Sequence, residues 1–66
     1  MMFIQKDRQF VNLALVKKFE INENRITFYF DLERDDYTEF VFENNKKAEH
    51  YLNTTILPLL IRNLPR

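Results

Sequence analysis

The residues able to do chemistry in this chain are few, and their spacing decides how much each can do. His50 is the single histidine. A proton relay or a metal site on a helix needs a second group three or four positions away, because only those positions share a face. Lys46, Lys47, Asn53 and Thr54 occupy them. None is a partner for an imidazole in that role, and Glu49, being adjacent, points to another side. His50 therefore reads as a solvated helix histidine.

Asp31, Glu33, Asp35 and Asp36 alternate like the start of a calcium-binding loop. Such a loop needs glycine at its sixth position and a bidentate glutamate at its twelfth. Asp36 and Phe42 stand there instead, so the run reads as a solvated acidic turn. Asn53-Thr54-Thr55 has the form of a glycosylation sequon but falls in a predicted helix. With no serine and no cysteine, the usual nucleophiles reduce to Thr and Lys. No paired carboxylates suggest acid–base work. The sequence points to a protein that is not an enzyme and that uses no cofactor or metal.

One surface could bind rather than react. On strand spacing, Lys18, Glu20, Thr27, Tyr29, Asp31, Tyr37, Glu39 and Val41 share the outer face of a sheet. Aromatics set among basic residues can stack the bases of single-stranded nucleic acid, and Tyr29 and Tyr37 supply the rings. Glu20, Asp31 and Glu39 on the same face repel phosphate. Lys and Arg together number ten, as do Asp and Glu. A chain with no net charge has no field that gathers nucleic acid or an anionic membrane. It also has little to keep copies of itself apart.

Positioning any of these groups requires a fold, and 66 residues make one small domain. Such a domain buries only about 60% of its unfolded surface and usually needs a staple. Cysteine is absent, which removes disulfides and thiolate zinc sites. Seven Phe and three Tyr offer a dense core instead. There is no glycine, hence no phosphate-cradling loop, and turns needing a positive φ are expected to use Asn or Asp. No basic segment with an apolar run suggests a signal peptide, and no apolar run is long enough to cross a bilayer. A soluble cytoplasmic protein is the expectation.

The organising stretch is Ile26-Thr27-Phe28-Tyr29-Phe30-Asp31-Leu32, apolar at every even position, the signature of a half-buried strand. Before it, Met2–Gln5 and Phe10-Val11 read as short strands about a charged turn. Asn12 can cap one helical turn over Leu13–Leu15, the alternative being a bulged continuous strand. Lys17–Ile21 is a strand, and Asn22–Arg25 is a tight hairpin whose central pair, Glu23-Asn24, sets Ile21 against Ile26 and Phe19 against Phe28. A loop over Arg34-Asp35-Asp36 then sets Phe30 against Phe40 and Phe28 against Phe42. Asn44-Asn45 marks a helix start. Ala48, Tyr51, Leu52, Thr55, Ile56, Leu59 and Asn63 recur as one apolar stripe. Pro58 cannot donate its helical hydrogen bond and clashes with the carbonyl of Thr54, so the helix either kinks there or continues irregularly.

The expected fold is α+β: a small antiparallel β-meander of four or five short strands within residues 2–43, then one C-terminal amphipathic helix over about 45–63, packed on one face of the sheet. The expected core is Phe19, Ile21, Ile26, Phe28, Phe30, Phe40, Phe42, Ala48, Leu52, Thr55, Ile56 and Leu59. The words Ile26–Phe30, Phe40-Val41-Phe42 and Asn45–Leu52, within the half of the chain from Ile26 to Leu57, resemble the end of a pleckstrin-homology-type domain, where strands also meander into one C-terminal helix. The chain is too short for that domain's two-sheet barrel and lacks its basic phosphoinositide loop. The order of strands then helix is similar also to the whirly-type single-stranded-DNA-binding coactivators, a resemblance that implies dimerisation through helices. No specific family is recognised.

Function rests on the tail. Leu57, Ile61 and Leu64 fall opposite the core stripe, with Leu60 at its side, and an exposed apolar face of this kind marks an interface. The leading expectation is a non-enzymatic interaction module that pairs with itself, or with another protein, through Leu57, Leu60, Ile61 and Leu64. Its alternative is a binder of single-stranded nucleic acid through Tyr29, Tyr37 and Val41. A third arrangement folds the tail back onto Phe3-Ile4 as a self-sufficient monomer.

Overall fold

Two short antiparallel sheets and one long helical segment make up the computed structural model, which describes residues 2–62. Strands β1 (Phe3–Lys6) and β2 (Gln9–Asn12) form a two-stranded hairpin. Strands β3 (Lys18–Asn22), β4 (Arg25–Asp31) and β5 (Asp36–Val41) form a three-stranded sheet with β4 in the centre. The expected α+β class stands, with five strands preceding helix α1 (Asn45–Tyr51), which packs on β4.

The break between the sheets is the predicted turn at Leu13–Leu15. It is a single 3-10 turn, and the Asn12 side chain accepts a hydrogen bond from the Ala14 N–H at 3.0 Å. This cap settles the choice between turn and bulge. It also drives Leu13 inward, where Leu13 joins Ile4 and Val11 beneath the larger sheet. The three were absent from the expected core, because two four-residue strands give too short a pattern to declare a buried face.

The β3–β4 pairing is as the sequence predicts, with Ile21 opposite Ile26 and Phe19 opposite Phe28. The positive φ of the turn, however, falls on Glu23 at 57°, not on an Asn. Asn24 has another task, since its side-chain Nδ2 donates to the Phe42 carbonyl at 2.7 Å. The β1–β2 turn repeats the device, with Asp7 at φ 57°.

The β4–β5 pairing corrects the expected one by two residues. Ile26 lies opposite Phe40, Phe28 opposite Thr38, and Tyr29 opposite Tyr37. The loop is longer than Arg34-Asp35-Asp36, because the strands already part beyond Asp31 and Asp36, and a bulge lies between Tyr29 and Asp31. Phe28 and Phe40 still touch, as diagonal neighbours whose rings meet edge to face at 5.0 Å. Diagonal aromatics remain within reach across a sheet, so the aromatic core survives the shift.

Of the expected core, Ile26, Phe28, Phe40, Ala48 and Ile56 are fully buried, and Phe19, Phe30, Phe42, Leu52 and Leu59 pack around them. Ile21 is not a core residue. It is 38% exposed, because β3 is an edge strand and its end at Asn22 runs beyond the cover of the helix.

The helix begins as predicted. Asn44 is the N-cap, its side chain accepting from the Lys47 N–H at 2.9 Å. Ahead of Pro58 the chain neither kinks sharply nor breaks. It widens into a π segment, Leu52–Ile56, closed by a hydrogen bond from the Leu57 N–H to the Leu52 carbonyl, and resumes as α2 (Leu57–Arg62). A π turn takes in one extra residue, which relaxes the crowding that the proline ring imposes on the preceding turn. The extra residue also rotates all that follows by about one helical position, so the stripe read across Pro58 without a shift is displaced. Among the described residues no helix is long and apolar enough to cross a membrane.

Candidate functional site

Three surfaces carry the candidate residues. The first is the tail. Leu57 is half-buried and Ile61 is 66% exposed. They are four residues apart and so lie on one side of α2. Leu60 does not join them: it packs against the core and borders a crevice of about 210 Å³ with Leu13, Val16 and Phe19. The π segment causes this by carrying Leu60 into the position that an unbroken helix gives its neighbour. The tail thus meets the 3-10 turn rather than Phe3, which remains 56% exposed. Leu64 lies outside the described residues, as does Asn63 of the stripe.

The second surface is the outer face of the larger sheet. Lys18, Tyr29 and Tyr37 form one row across its three strands. The Lys18 ammonium sits 4.9 Å from the Tyr29 ring centroid, and the Tyr29 and Tyr37 rings lie 5.9 Å apart, tilted by 45°. Lys18 also pairs with Glu20 at 2.9 Å, and this hydrogen bond raises the Lys18 pKa above its ordinary value. The carboxylate of Glu39 is met by Thr27 Oγ1 at 3.5 Å and by Arg25 at 3.8 Å. Val41, opposite Arg25, is 49% exposed at the end of this face. Two of the acidic groups that argued against phosphate thus have cationic partners. Asp31 has turned toward its own loop, accepting from the Glu33 N–H at 2.9 Å, with Arg34 4.0 Å away.

The third surface did not stand out in the sequence. A groove of about 790 Å³ runs between the end of β5 and the helix, floored by Phe42 and Tyr51 and rimmed by Lys46, Lys47, His50 and Thr54. Its parts are sixteen or fewer positions apart on three different local structures, so no local spacing reveals them. The Tyr51 hydroxyl donates to the Gln5 carbonyl at 3.0 Å, tying the helix to β1. Burial raises the Tyr51 pKa above the ordinary tyrosine value. Glu43 pairs with Lys47 at 2.8 Å, which lowers the Glu43 pKa.

The chain matches no protein-family model, no curated protein and no solved structure.

Proposed function

We propose that this chain is a small, non-enzymatic interaction module of the cytoplasm that pairs with a second copy of itself through the solvent face of its C-terminal helix. The observation that carries the reading is the exposure of Ile61, 66%, one turn from half-buried Leu57. A branched aliphatic so exposed, on a helix whose opposite side is committed to the core, gains from a matching apolar surface. The balanced charge of ten cationic and ten acidic side chains opposes no such approach. Paired protomers close most simply about a two-fold axis, which sets Ile61 of each copy near its symmetry mate.

Light scattering on a size-exclusion peak, across a concentration series, tests this. A dimer that Ile61→Asp converts to folded monomer supports it, and the double variant with Leu57→Asp should be monomeric at every concentration. A wild-type monomer throughout, or a dimer indifferent to Ile61→Asp, overturns it.

A second reading has one specific observation in its favour. The row Lys18, Tyr29, Tyr37 offers an ammonium and two ring faces at strand spacing, the elements of a stacking platform for single-stranded nucleic acid. Under this reading, retention on single-stranded DNA at low salt falls steeply as salt rises and disappears in Tyr37→Ala. Absence of any retention removes it.

A further inference from the structure

We propose that the groove between Phe42 and the helix is a binding site for a small monoanionic amphiphile, a carboxylate carrying an acyl or aryl body. The floor is apolar and held in place. The Phe42 and Tyr51 rings lie 5.3 Å apart at 47°, and Tyr51 rests edge to face on the fully buried Phe40 at 6.0 Å. Because the Tyr51 hydroxyl is spent on the Gln5 carbonyl, the side chain presents its ring to the groove. The volume, about 790 Å³, lies within the few hundred to about a thousand Å³ typical of small-molecule sites.

The rim supplies the charge. Lys46, Lys47 and His50 border the groove, and no acidic side chain does. Lys47 is paired with Glu43 at 2.8 Å, whereas Lys46 has no ion pair among the described residues. One ammonium without a carboxylate partner, beside an aromatic floor, matches one negative charge on an apolar body. It does not match a phosphate dianion or a polyanion, which call for several converging cations.

The helix is irregular at this place. The π segment Leu52–Ile56 brings Thr54 and Thr55 together onto the groove wall, and the Thr54 hydroxyl turns back to the His50 carbonyl at 2.6 Å. Irregular helical turns of this kind recur at functional sites. Here Pro58 explains why a π turn forms, and the groove gives its wall a use.

The test follows backbone amide resonances of the whole chain while decanoate is added below its micelle-forming concentration, with decyltrimethylammonium as the analogue of opposite charge. The expected result is a saturable shift at Phe42, Asn44, His50 and Thr55 with decanoate, weakened about tenfold by Lys46→Glu, as loss of one charge-assisted contact implies. Arg8→Glu, the same charge change in the β1–β2 turn, leaves it unaltered, and Thr54→Trp, which fills the groove from an exposed position, abolishes it. Equal shifts from the cationic analogue, shifts centred on Phe3, Phe10 or Ile61, an undiminished response in Lys46→Glu, or no saturable shift at all would each overturn the proposal.

Discussion

Asn24 and Phe42 are joined twice: the Phe42 N–H donates to the Asn24 carbonyl at 2.8 Å, and the Asn24 side-chain amide donates to the Phe42 carbonyl at 2.7 Å. Asn24 belongs to the β3–β4 turn, and Phe42 follows β5. Their pairing therefore ties the turn of one hairpin to the far strand of the next and continues the ladder in which Arg25 faces Val41. It opposes the register expected from the aromatic residues, since Phe42 cannot lie both at Asn24 and opposite Phe28. Asn24→Ala leaves the partly buried Phe42 carbonyl without its side-chain donor and should cost about 1–2 kcal/mol. Asn24→Asp should cost at least as much, because an ionised carboxylate cannot donate. Urea unfolding midpoints check this, with Asn22→Ala as the nearby control that should change little.

Glu23 stands at φ 57°, where a side chain with a Cβ is held at a cost of roughly 1–2 kcal/mol. Glycine meets no such cost but gives the unfolded chain more freedom. The net expectation for Glu23→Gly is a gain of about 0.5–1 kcal/mol, read as a higher unfolding midpoint. Asp7 has the same φ, yet Asp7→Gly should gain less. Aspartate tolerates this region better than glutamate, and Asp7 also pairs with Lys6 at 2.9 Å. If Glu23→Gly destabilises the protein, the turn is not held against a local preference.

These two turns show why the sequence was legible in some places and not in others. A two-residue loop leaves one register, so placing Ile21 against Ile26 also placed Phe19 against Phe28. Beyond β4 the loop length was open, and parity alone chose among registers two residues apart. The odd spacing was right in kind, because Phe30 sits in a bulge and an even loop of four residues, Leu32–Asp35, then closes the hairpin. A bulge leaves no mark in an alternating pattern that is already ending. The same limit hid the extra residue of the π segment: Ile56-Leu57-Pro58-Leu59-Leu60-Ile61 is apolar throughout, so a rotation by one position exchanges one aliphatic for another. The groove was hidden for a different reason. Lys46 and His50 have no chemistry until Phe42 and Tyr51 are brought beside them, and that needs the β5–helix junction.

Tyr51 gives the fold a dependence on alkaline pH. Its pKa is raised by burial, so the folded state favours the protonated phenol, which also makes the bond to Gln5. The unfolded chain ionises near the ordinary value of about 10. The stabilisation from this group is therefore fully present below that pH and is lost as pH rises through the folded-state pKa. Urea midpoints between pH 8 and pH 11 should fall for the wild type, and the part due to Tyr51 should be missing in Tyr51→Phe. At pH 8 the same substitution should cost about 1 kcal/mol, the worth of one hydrogen bond. An identical alkaline slope in both proteins would place the effect in other groups.

The π segment makes a prediction that separates adjacent residues. In an unbroken helix Leu60 would lie beside the core stripe, and removing its side chain would matter little. With one residue taken up between Leu52 and Ile56, Leu60 instead packs on the core at Leu13 and Val16, and Ile61 turns to solvent. Ile56→Ala, at a fully buried site, should cost about 2–5 kcal/mol, a large part of the roughly 3–10 kcal/mol that stabilises a domain of this size. Leu60→Ala should cost an intermediate amount, about 1–2 kcal/mol, since half of its surface is already in water. Ile61→Ala, measured at concentrations where the protein is monomeric, should stay within about 0.5 kcal/mol of the wild type. The order Ile56, Leu60, Ile61 follows from the widened turn. If Leu60 and Ile61 exchanged places in that order, the helix would run unbroken through Pro58, and the apolar face available to a second copy would be the other one.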